Sequence, residues 1–244
     1  MAEVLERKVD VLVTASTPGA VTAKKATNTV PIVVAVMGDP IGTGLVASLA
    51  RPGGNLTGLS LQWEDLGGKW LELLQEAIPR LSTVAVISNP DSPAIREVAR
   101  KLREIASRRG VRLRFHDVRE AGEFAHAFKQ ARQEAQAALV LADPVTVAHR
   151  REITALAAAH RVPTLYVLQE FMDTGGLMAY GVDQRILFPR AADYVDKILR
   201  GARPAELPIE QPMQFSLVVN LKAARALGLS IPESILLRAD EVIR

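Results

Sequence analysis

Four short apolar runs in this sequence end in the same way, and this repeat restricts the fold more than any other feature. Each run is made largely of β-branched or aliphatic residues without regular polar alternation, as expected of a strand buried on both faces of a parallel sheet. Each run then meets a small or polar residue that is followed directly by proline. The runs with their ends are Val9–Pro18, Pro31–Pro40, Thr83–Pro90 and Ala137–Pro144.

The proline after each run predicts a turn from a strand into a helix. Proline is tolerated in the first turn of a helix because its missing N–H has no partner there, and the polar residue before it can cap the first N–H groups. Apolar residues recur at helical spacing in later segments, among them Phe124, Ala127, Phe128 and Ala131. Alternating strands and helices predict an α/β fold with a parallel, doubly wound sheet.

Ligands of such sheets bind beyond the carboxyl ends of the strands, which is where the four proline-ended turns are predicted to lie. Helix N-termini at this edge offer free N–H groups and the positive end of the helix dipole, which suit a carboxylate or another anion. The Thr, Asp and Asn residues of these turns could equally serve only as helix N-caps. Both interpretations stay open at this point.

The alternation of strands and helices is interrupted at Arg51–Asn55, which contains one proline and two glycines. A short strand at Leu56–Leu61 follows, then a helix from about Glu64 to Ile78, and the alternation restarts at Thr83. This break predicts one lobe that ends near residue 60 and a second lobe of similar design after it.

Composition and charge exclude several classes of protein. The absence of cysteine excludes disulfides, thiolate metal sites and cysteine nucleophiles, and the four histidines do not have the spacing of metal ligands. No stretch reaches the ~20 apolar residues of a membrane span, and the charged N-terminal residues do not form a signal peptide. The net charge is +3, and the basic cluster at 96–114 falls on the polar side of a predicted amphipathic helix. We therefore predict no nucleic-acid partner.

Several longer motifs resemble those of a family of ABC-transporter substrate-binding proteins, some of which are described as tryptophan or tyrosine binding. The resemblance extends over essentially the whole chain, and no general constraint of the fold would produce that ordered set. The motifs are Thr17-Pro18, Gly38-Asp39-Pro40, Gly44–Gly58, Ala179–Asp183, Ala191–Gly201, Leu207–Pro212, Asn220–Leu229 and Leu237–Ile243.

The resemblance implies a type I periplasmic-binding fold, with two Rossmann-like lobes, hinge crossovers and a ligand clamped in the cleft between the lobes. It implies lobe I at 1–61 plus 183–208 and lobe II at 62–182 plus 209–244. It also implies a solute-binding component of an ABC importer that has no enzymatic activity and lies in the periplasm or outside the cell. Its ligand would be a small molecule such as an amino acid or a related carboxylate, and its partners would be permease subunits. Ligand binding would shift a population of open and closed states.

Two departures from the family pattern bear on lobe I. Family members carry an export signal, a strand, a helix and a second strand ahead of the segment that matches Val9–Val13, and this chain does not. We therefore expect lobe I to be incomplete with an exposed sheet edge, which a homodimer could cover. In addition, the family usually has glycine where this chain has Ser16, so an additional hydroxyl is expected in the cleft.

Turn position and family match together predict the ligand-binding residues. Ser16 and Thr17 are expected to hold a ligand carboxylate, and Asp39 is expected to pair with a ligand ammonium. Asn89 and Asp143 are expected to face the same cleft from the second lobe. Pockets of this kind are mostly apolar, with few polar groups. The predicted apolar or stacking wall consists of Tyr166, Phe171 and Tyr180.

Two other functions remain as alternatives. Gly42–Ala47 matches the G-x-G-x-x-A pattern of a nicotinamide-dinucleotide-binding oxidoreductase, with Glu64 or Asp65 about twenty residues on. The glycines of that pattern should follow the strand directly, but Gly38–Ile41 intervene, so we predict no cofactor. The second alternative is a ligand-sensing receptor domain. Trp63 falls near the predicted crossover, where packing at the hinge would account for it.

Overall fold

The structure is a computed structural model that describes residues 2–211 and 214–244, apart from the side chains of Ala2 and Glu64. Its described residues form two compact units. Unit 1 comprises the described parts of 1–63, 92–97 and 183–213, and unit 2 those of 64–91, 98–182 and 214–244. Both units combine sheets that are wholly or mostly parallel with flanking helices, which confirms the predicted α/β fold class.

Strands and helices alternate along most of the described chain. The strands are β1 (Leu12–Thr14), β2 (Ile32–Met37), β3 (Leu56–Ser60), β4 (Thr83–Ser88), β5 (Arg112–Asp117), β6 (Ala137–Val140), β7 (Thr164–Tyr166), β8 (Met178–Gly181), β9 (Ser216–Asn220) and β10 (Glu241–Ile243). The α-helices are α1 (Ala2–Glu6), α2 (Thr17–Ala26), α3 (Trp63–Ala77), α4 (Pro93–Arg108), α5 (Phe124–Glu134), α6 (Pro144–Ala148), α7 (Arg150–Ala159), α8 (Leu187–Leu199), α9 (Leu221–Leu227) and α10 (Glu233–Leu236). Short 3₁₀ helices are at Ala121–Glu123, Gln169–Thr174, Gln184–Ile186 and Pro204–Glu206.

The sheet of unit 1 has three parallel strands in the order β1-β2-β3. All six residues of the central strand β2 are buried, as its uninterrupted apolar sequence predicts. Ile32 and Val34 of β2 belong to a core that also includes Ala20 of α2 and Leu45. This core fixes α2 against the sheet, so that the first turn of α2 lies at the carboxyl ends of β1 and β2.

The sheet of unit 2 has seven strands in the order β10-β9-β8-β7-β6-β4-β5. The pairs from β5 to β8 are parallel as predicted, but β9 runs antiparallel to β8. The prediction of a wholly parallel sheet is therefore wrong at this pair. The chain leaves unit 2 at residue 182 and returns at 214. No helical crossover within the unit joins β8 to β9, and such a crossover is what makes consecutive strands parallel.

Two of the four proline-ended turns start a helix where predicted. α2 begins at Thr17, with Pro18 in its first turn, and the Ser16 hydroxyl accepts a hydrogen bond from Gly19 N. α6 begins at Pro144, and the Asp143 carboxylate accepts from Thr146 N. The prediction of strand-to-helix turns is confirmed at both.

The other two turns differ from the prediction. After Asn89-Pro90 the helix α4 starts only at Pro93, because the Asn89 side chain first closes a turn by accepting from Asp91 N. After Asp39-Pro40 the described residues 41–55 contain no helix, so the helix predicted there is wrong. The Pro40 carbonyl accepts from two backbone N–H groups, those of residues 45 and 46, and this turn takes the place of a first helical turn.

The basic residues at 96–114 are distributed as the predicted amphipathic pattern requires. In α4 the apolar residues Ile95, Val98 and Leu102 are buried, whereas Arg103 and Arg108 are exposed. Arg103 lies with its guanidinium 3.9 Å from the centre of the Phe115 ring. Arg103 and Arg108 therefore belong to the solvent-facing side of an ordinary surface helix.

Candidate functional site

The carboxyl edge of the unit 1 sheet brings Ser16, Thr17, Gly38 and Asp39 together. Thr17 is buried, and its hydroxyl oxygen accepts a hydrogen bond of 2.9 Å from Gly38 N. Ser16 is half-buried, and its hydroxyl caps α2. The Thr17 side chain thus links the start of α2 to the end of β2. This link places Ser16 and Thr17, the predicted partners of a ligand carboxylate, beside Asp39, the predicted partner of a ligand ammonium.

Asp39 has a strained backbone, with a φ of 29° in the left-handed region that a residue with a side chain seldom adopts. Its carboxylate oxygen Oδ1 accepts from Gly42 N at 2.8 Å, and its carbonyl accepts from both N and Oγ1 of Thr43. A Cβ at position 42 would lie 2.1 Å from the other carboxylate oxygen, so any larger residue there would have to displace the Asp39 side chain. Strain of this kind is often found at ligand sites.

Two residues that were not among the predicted site residues lie at the same edge. A Cβ added to Gly38 would lie 2.8 Å from Ala94 Cβ, and 3.9 Å from both Thr17 Oγ1 and Trp63 Cε3. Ala94 belongs to the first turn of α4, and Trp63 begins α3 just after β3. The only signal for either residue in the sequence is its place after a predicted strand, because the contact with Gly38 depends on tertiary packing.

In unit 2 the structure pairs Asn89 with Asp143. The Asn89 amide nitrogen donates to Asp143 Oδ2 at 2.6 Å, while the other carboxylate oxygen accepts from the backbone and hydroxyl groups of Thr146. The residues follow the neighbouring strands β4 and β6, so their side chains meet at the carboxyl edge of this sheet. Asp143 is buried, and it also acts as the N-cap of α6. A capping role was the alternative to ligand binding that the sequence left open for the polar residues of these turns.

Tyr166 and Phe171 contact each other in the interior of unit 2. Their rings stack with centroids 4.7 Å apart, and both side chains are buried. A Cβ at Gly176 would lie 2.9 Å from the Tyr166 ring, so the polypeptide chain approaches this ring closely. Burial raises the pKa of the Tyr166 hydroxyl and keeps it neutral. The ring also borders a cavity of about 290 Å³ between α7 and α9.

Tyr180, the third aromatic residue of the predicted wall, is half-buried. It lies on β8, where its carbonyl accepts a 2.9 Å hydrogen bond from the Trp70 indole and its ring lies 6.3 Å from that of Phe215. Desolvation by burial raises the pKa of its hydroxyl. Of the three predicted wall residues, only Tyr180 leaves part of its surface open.

The described residues contain no cluster of three or more His, Asp or Glu side chains that could hold a metal ion. The dinucleotide pattern at Gly42–Ala47 forms turns instead of the start of a helix. That alternative is therefore wrong, because the pyrophosphate site of that pattern requires a helix N-terminus. Each sheet edge by itself offers polar side chains and a helix N-terminus, which suit the binding of a small polar molecule.

The sequence profile of the ABC transporter substrate binding protein family matches residues 1–243. This chain belongs to that family. The resemblance seen in the sequence motifs is thereby confirmed. The family consists of solute-binding transport components without enzymatic activity, which also confirms the prediction of that class. Its members are typically periplasmic or extracellular. In the described residues no helix has both the length and the apolar character needed to cross a membrane.

Solved structures of relatives share the fold. A conserved domain protein of Vibrio cholerae is 28% identical, with a TM-score of 0.91 over 98% of this chain and 80% of that chain. An ABC domain of Streptococcus pneumoniae in complex with L-Trp is 26% identical, with a TM-score of 0.87 over 96% of this chain and 81% of that chain. These similarities confirm the predicted periplasmic-binding type of fold.

Among curated proteins, the Tyrosine-binding protein of Clostridioides difficile is 24% identical over 222 residues. The match covers 91% of this chain but 64% of that protein. The chain thus spans less than two thirds of the length of this curated relative.

Proposed function

We propose that this protein is the solute-binding component of an ABC importer and captures a small molecule with the carboxyl-edge residues of its two sheets. The observation that carries the proposal is the convergence at one edge of unit 1, where the starts of α2 and α4, the end of β2 and the Trp63 ring all surround Gly38. Parallel α/β sheets bind their ligands at such edges.

The ligand class follows from the chemistry of this edge and from the relatives. Hydroxyl groups at Ser16 and Thr17 together with helix N-termini favour a carboxylate, and the Asp39 carboxylate favours an ammonium group. An α-amino acid carries both groups. Because one relative is named as tyrosine-binding and another was solved with L-Trp, an aromatic amino acid is the ligand that we propose.

We propose further ligand-binding residues in unit 2. Asn89 and Asp143 stand at the carboxyl edge of its sheet, and Tyr180 has an open part of its side chain for stacking. Tyr166 and Phe171 are buried, so we propose that they support the pocket wall from behind.

A thermal-shift screen tests this proposal. A ligand that binds only the folded state stabilises it by RT ln(1 + [L]/Kd), which is about 2.7 kcal/mol at a concentration of 100 Kd. We expect L-tyrosine or L-tryptophan to raise the melting temperature, whereas NAD should not. Calorimetry would then give the affinity. A protein that responds to no amino acid or related carboxylate would contradict the proposal.

The role of Asp39 can be tested with paired ligands. Asp39→Asn keeps an oxygen that can accept from Gly42 N but removes the negative charge. We expect it to weaken binding of L-tyrosine about tenfold or more, as loss of a hydrogen bond to a charged group does. The affinity for 3-(4-hydroxyphenyl)propionate, which has no ammonium group, should rise, because its carboxylate no longer meets the negative charge of Asp39.

We also propose that the ligand-bound protein docks on ABC permease subunits in the periplasm or at the outer face of the cell. The family supports this proposal. Co-purification with candidate ABC permease subunits, in the presence and absence of ligand, would test it.

A homodimer is the last part of the proposal, supported by the free edge of β1. Within the described residues the only strand that pairs with β1 is β2, and Val13 in β1 is 58% exposed. Such edges tend to pair with other strands. Analytical ultracentrifugation should show a dimer that Val13→Lys dissociates and that Ile41→Lys, at another exposed apolar position of unit 1, leaves intact. A wild-type monomer at all concentrations would contradict it.

A further inference from the structure

Trp63 carries a polar group that the fold does not use. The residue is 6% exposed, and its indole nitrogen Nε1 is buried with no hydrogen-bond partner among the described residues. A buried N–H without a partner costs free energy comparable to a lost hydrogen bond, so most such groups in folded proteins are paired. Trp63 is therefore an exception that requires an explanation.

Trp70, the second of the two tryptophans, shows the usual arrangement. It is also buried, but its indole N–H donates to the Tyr180 carbonyl at 2.9 Å. If Trp63 served only to fill space, phenylalanine would do so without burying an unpaired donor. The difference between the two indoles indicates that the N–H of Trp63 has a partner outside the described residues.

The surroundings of Trp63 indicate the chemistry of that partner. Its six-membered ring lies against Gly38, and Ala94 Cβ and the Thr17 hydroxyl also lie within 4 Å of the position that a Cβ on Gly38 would occupy. Thr17 begins a helix of 10 residues and Ala94 lies in the first turn of a helix of 16 residues. The first turns of two helices thus meet at Gly38, and the ring that carries the unpaired donor lies against the same residue. This combination favours an anionic acceptor.

We propose that Trp63 is a ligand-binding residue whose indole N–H donates a hydrogen bond to the carboxylate of the bound solute. The inference rests on the proposed solute-binding function and adds to it a residue that also selects the ligand. Asp39, next to Gly38 in the chain, places a negative charge at the same edge. A carboxylate without an accompanying ammonium would be repelled by Asp39, so the pair of residues selects α-amino acids over simple acids.

The test compares two variants that each remove one indole N–H and keep an aromatic ring. Trp63→Phe should weaken L-tyrosine binding in calorimetry by about tenfold or more, the loss expected for a hydrogen bond to a charged group. Tyramine lacks the carboxylate, so its affinity, measured in the same way, should be equal in Trp63→Phe and wild type. Trp70→Phe should lower the melting temperature but leave the L-tyrosine affinity unchanged.

A second replacement covers the case in which Trp63→Phe does not fold. Benzothienylalanine, in which sulfur replaces the indole N–H, can be incorporated at position 63 in a Trp70→Phe background with almost no change of shape. This protein should lose L-tyrosine affinity to the same extent as Trp63→Phe, relative to Trp70→Phe alone.

The outcomes separate the inference from the function on which it rests. If wild type binds L-tyrosine and both replacements bind it equally well, the role of Trp63 is refuted while solute binding stands. If affinities for L-tyrosine and tyramine fall together, the tryptophan shapes the pocket and does not contact the carboxylate, which also refutes the inference. A wild type that binds none of L-tyrosine, L-tryptophan and tyramine would overturn the proposed aromatic ligand and the inference together.

Discussion

At the scale of single residues, the Thr17 hydroxyl shows how one side chain can hold a sheet edge in shape. It accepts from Gly38 N and so satisfies a backbone donor that is buried with it. Threonine and valine have nearly the same shape, so the exchange Thr17→Val removes the acceptor while keeping the packing. We expect the free energy of unfolding to fall by about 1–3 kcal/mol, the cost of an unpaired buried N–H.

Urea denaturation followed by circular dichroism would measure this change. The matched control is Thr17→Ser, which keeps the hydroxyl and should lose less than the valine variant. Equal losses in the two variants would mean that the hydrogen bond to Gly38 contributes nothing to stability and that the methyl group matters instead.

The Asn89–Asp143 hydrogen bond is a second interaction at this scale, and it can be measured by a double-mutant cycle. Both residues also serve their own turns, Asn89 by accepting from Asp91 N and Asp143 by capping α6. Single alanine variants therefore report more than the shared bond. We expect the cycle to give a coupling of about 1–2 kcal/mol in unfolding experiments. A coupling near zero would mean that the two side chains do not interact in solution.

At the scale of elements, the sequence predicts strands and helices well wherever one local rule decides the outcome. The uninterrupted apolar run Pro31–Met37 became β2, at Ile32–Met37, and the helix predicted from about Glu64 to Ile78 became α3, at Trp63–Ala77. The apolar pattern decides both elements. β2 is apolar throughout, as a strand buried on both faces is, whereas α3 carries one apolar stripe at helical spacing that can face a core.

The prediction failed where side chains and tertiary contacts compete with the local rule. Asp39-Pro40 carries the same helix-start signal as Asp143-Pro144, but only the second starts a helix. The difference is that Gly42 lets the chain fold back onto the Asp39 carboxylate, and no motif encodes that choice. The candidate site shares this limit: the edge residues were predictable from strand ends, whereas the contact between Trp63 and Gly38 required coordinates.

Glycine substitutions test the packing of these elements. Gly58 in β3 has a φ of +142°, and a Cβ there would lie 2.1 Å from the Val34 carbonyl oxygen of the neighbouring strand. Gly58→Ala should therefore lower the free energy of unfolding by about 2 kcal/mol or more. Gly68 in α3 has no atom within 4 Å of such a Cβ, so Gly68→Ala should raise it by about 0.5–1 kcal/mol.

Thermal and urea unfolding of these two variants give the comparison directly, since both make the same chemical change. A mild effect at position 58 would mean that β2 and β3 can separate to admit a methyl group. The close approach of the two strands would then not be needed for the sheet of unit 1.

At the scale of the whole molecule, the ionisable groups define the pH range in which the protein is stable. Several carboxylates have a pKa below its ordinary value, among them Glu72, lowered mainly by a hydrogen bond from Lys69, and Glu76, lowered mainly by one from Ser234. Arg238, two residues after the end of α10, contributes to both shifts and ties this part of the chain to α3. Buried tyrosines have a raised pKa, above all Tyr166.

The signs of these shifts predict a stability profile with two falling limbs. A carboxylate with a lowered pKa stabilises the fold above its ordinary pKa, which is 4.5 for glutamate, and this contribution is lost as the pH falls through the folded-state pKa. A tyrosine with a raised pKa acts in the opposite direction. Above its ordinary pKa of 10.0 only the unfolded chain ionises freely, so stability falls as the pH rises further.

The Arg238→Met exchange isolates the acid limb of this profile. At neutral pH it should lower the free energy of unfolding by about 0.5 kcal/mol, since these ion pairs are largely solvent-exposed and screened. The difference from wild type should shrink as the pH falls from 4.5 through the lowered folded-state pKa of Glu72 and Glu76, below which both carboxylates are neutral in both proteins. Tyr166→Phe should flatten only the alkaline limb. Urea unfolding from pH 3 to 11 would measure both limbs. If the difference in unfolding free energy between wild type and Arg238→Met persists in acid, Arg238 stabilises the protein through packing and not through charge.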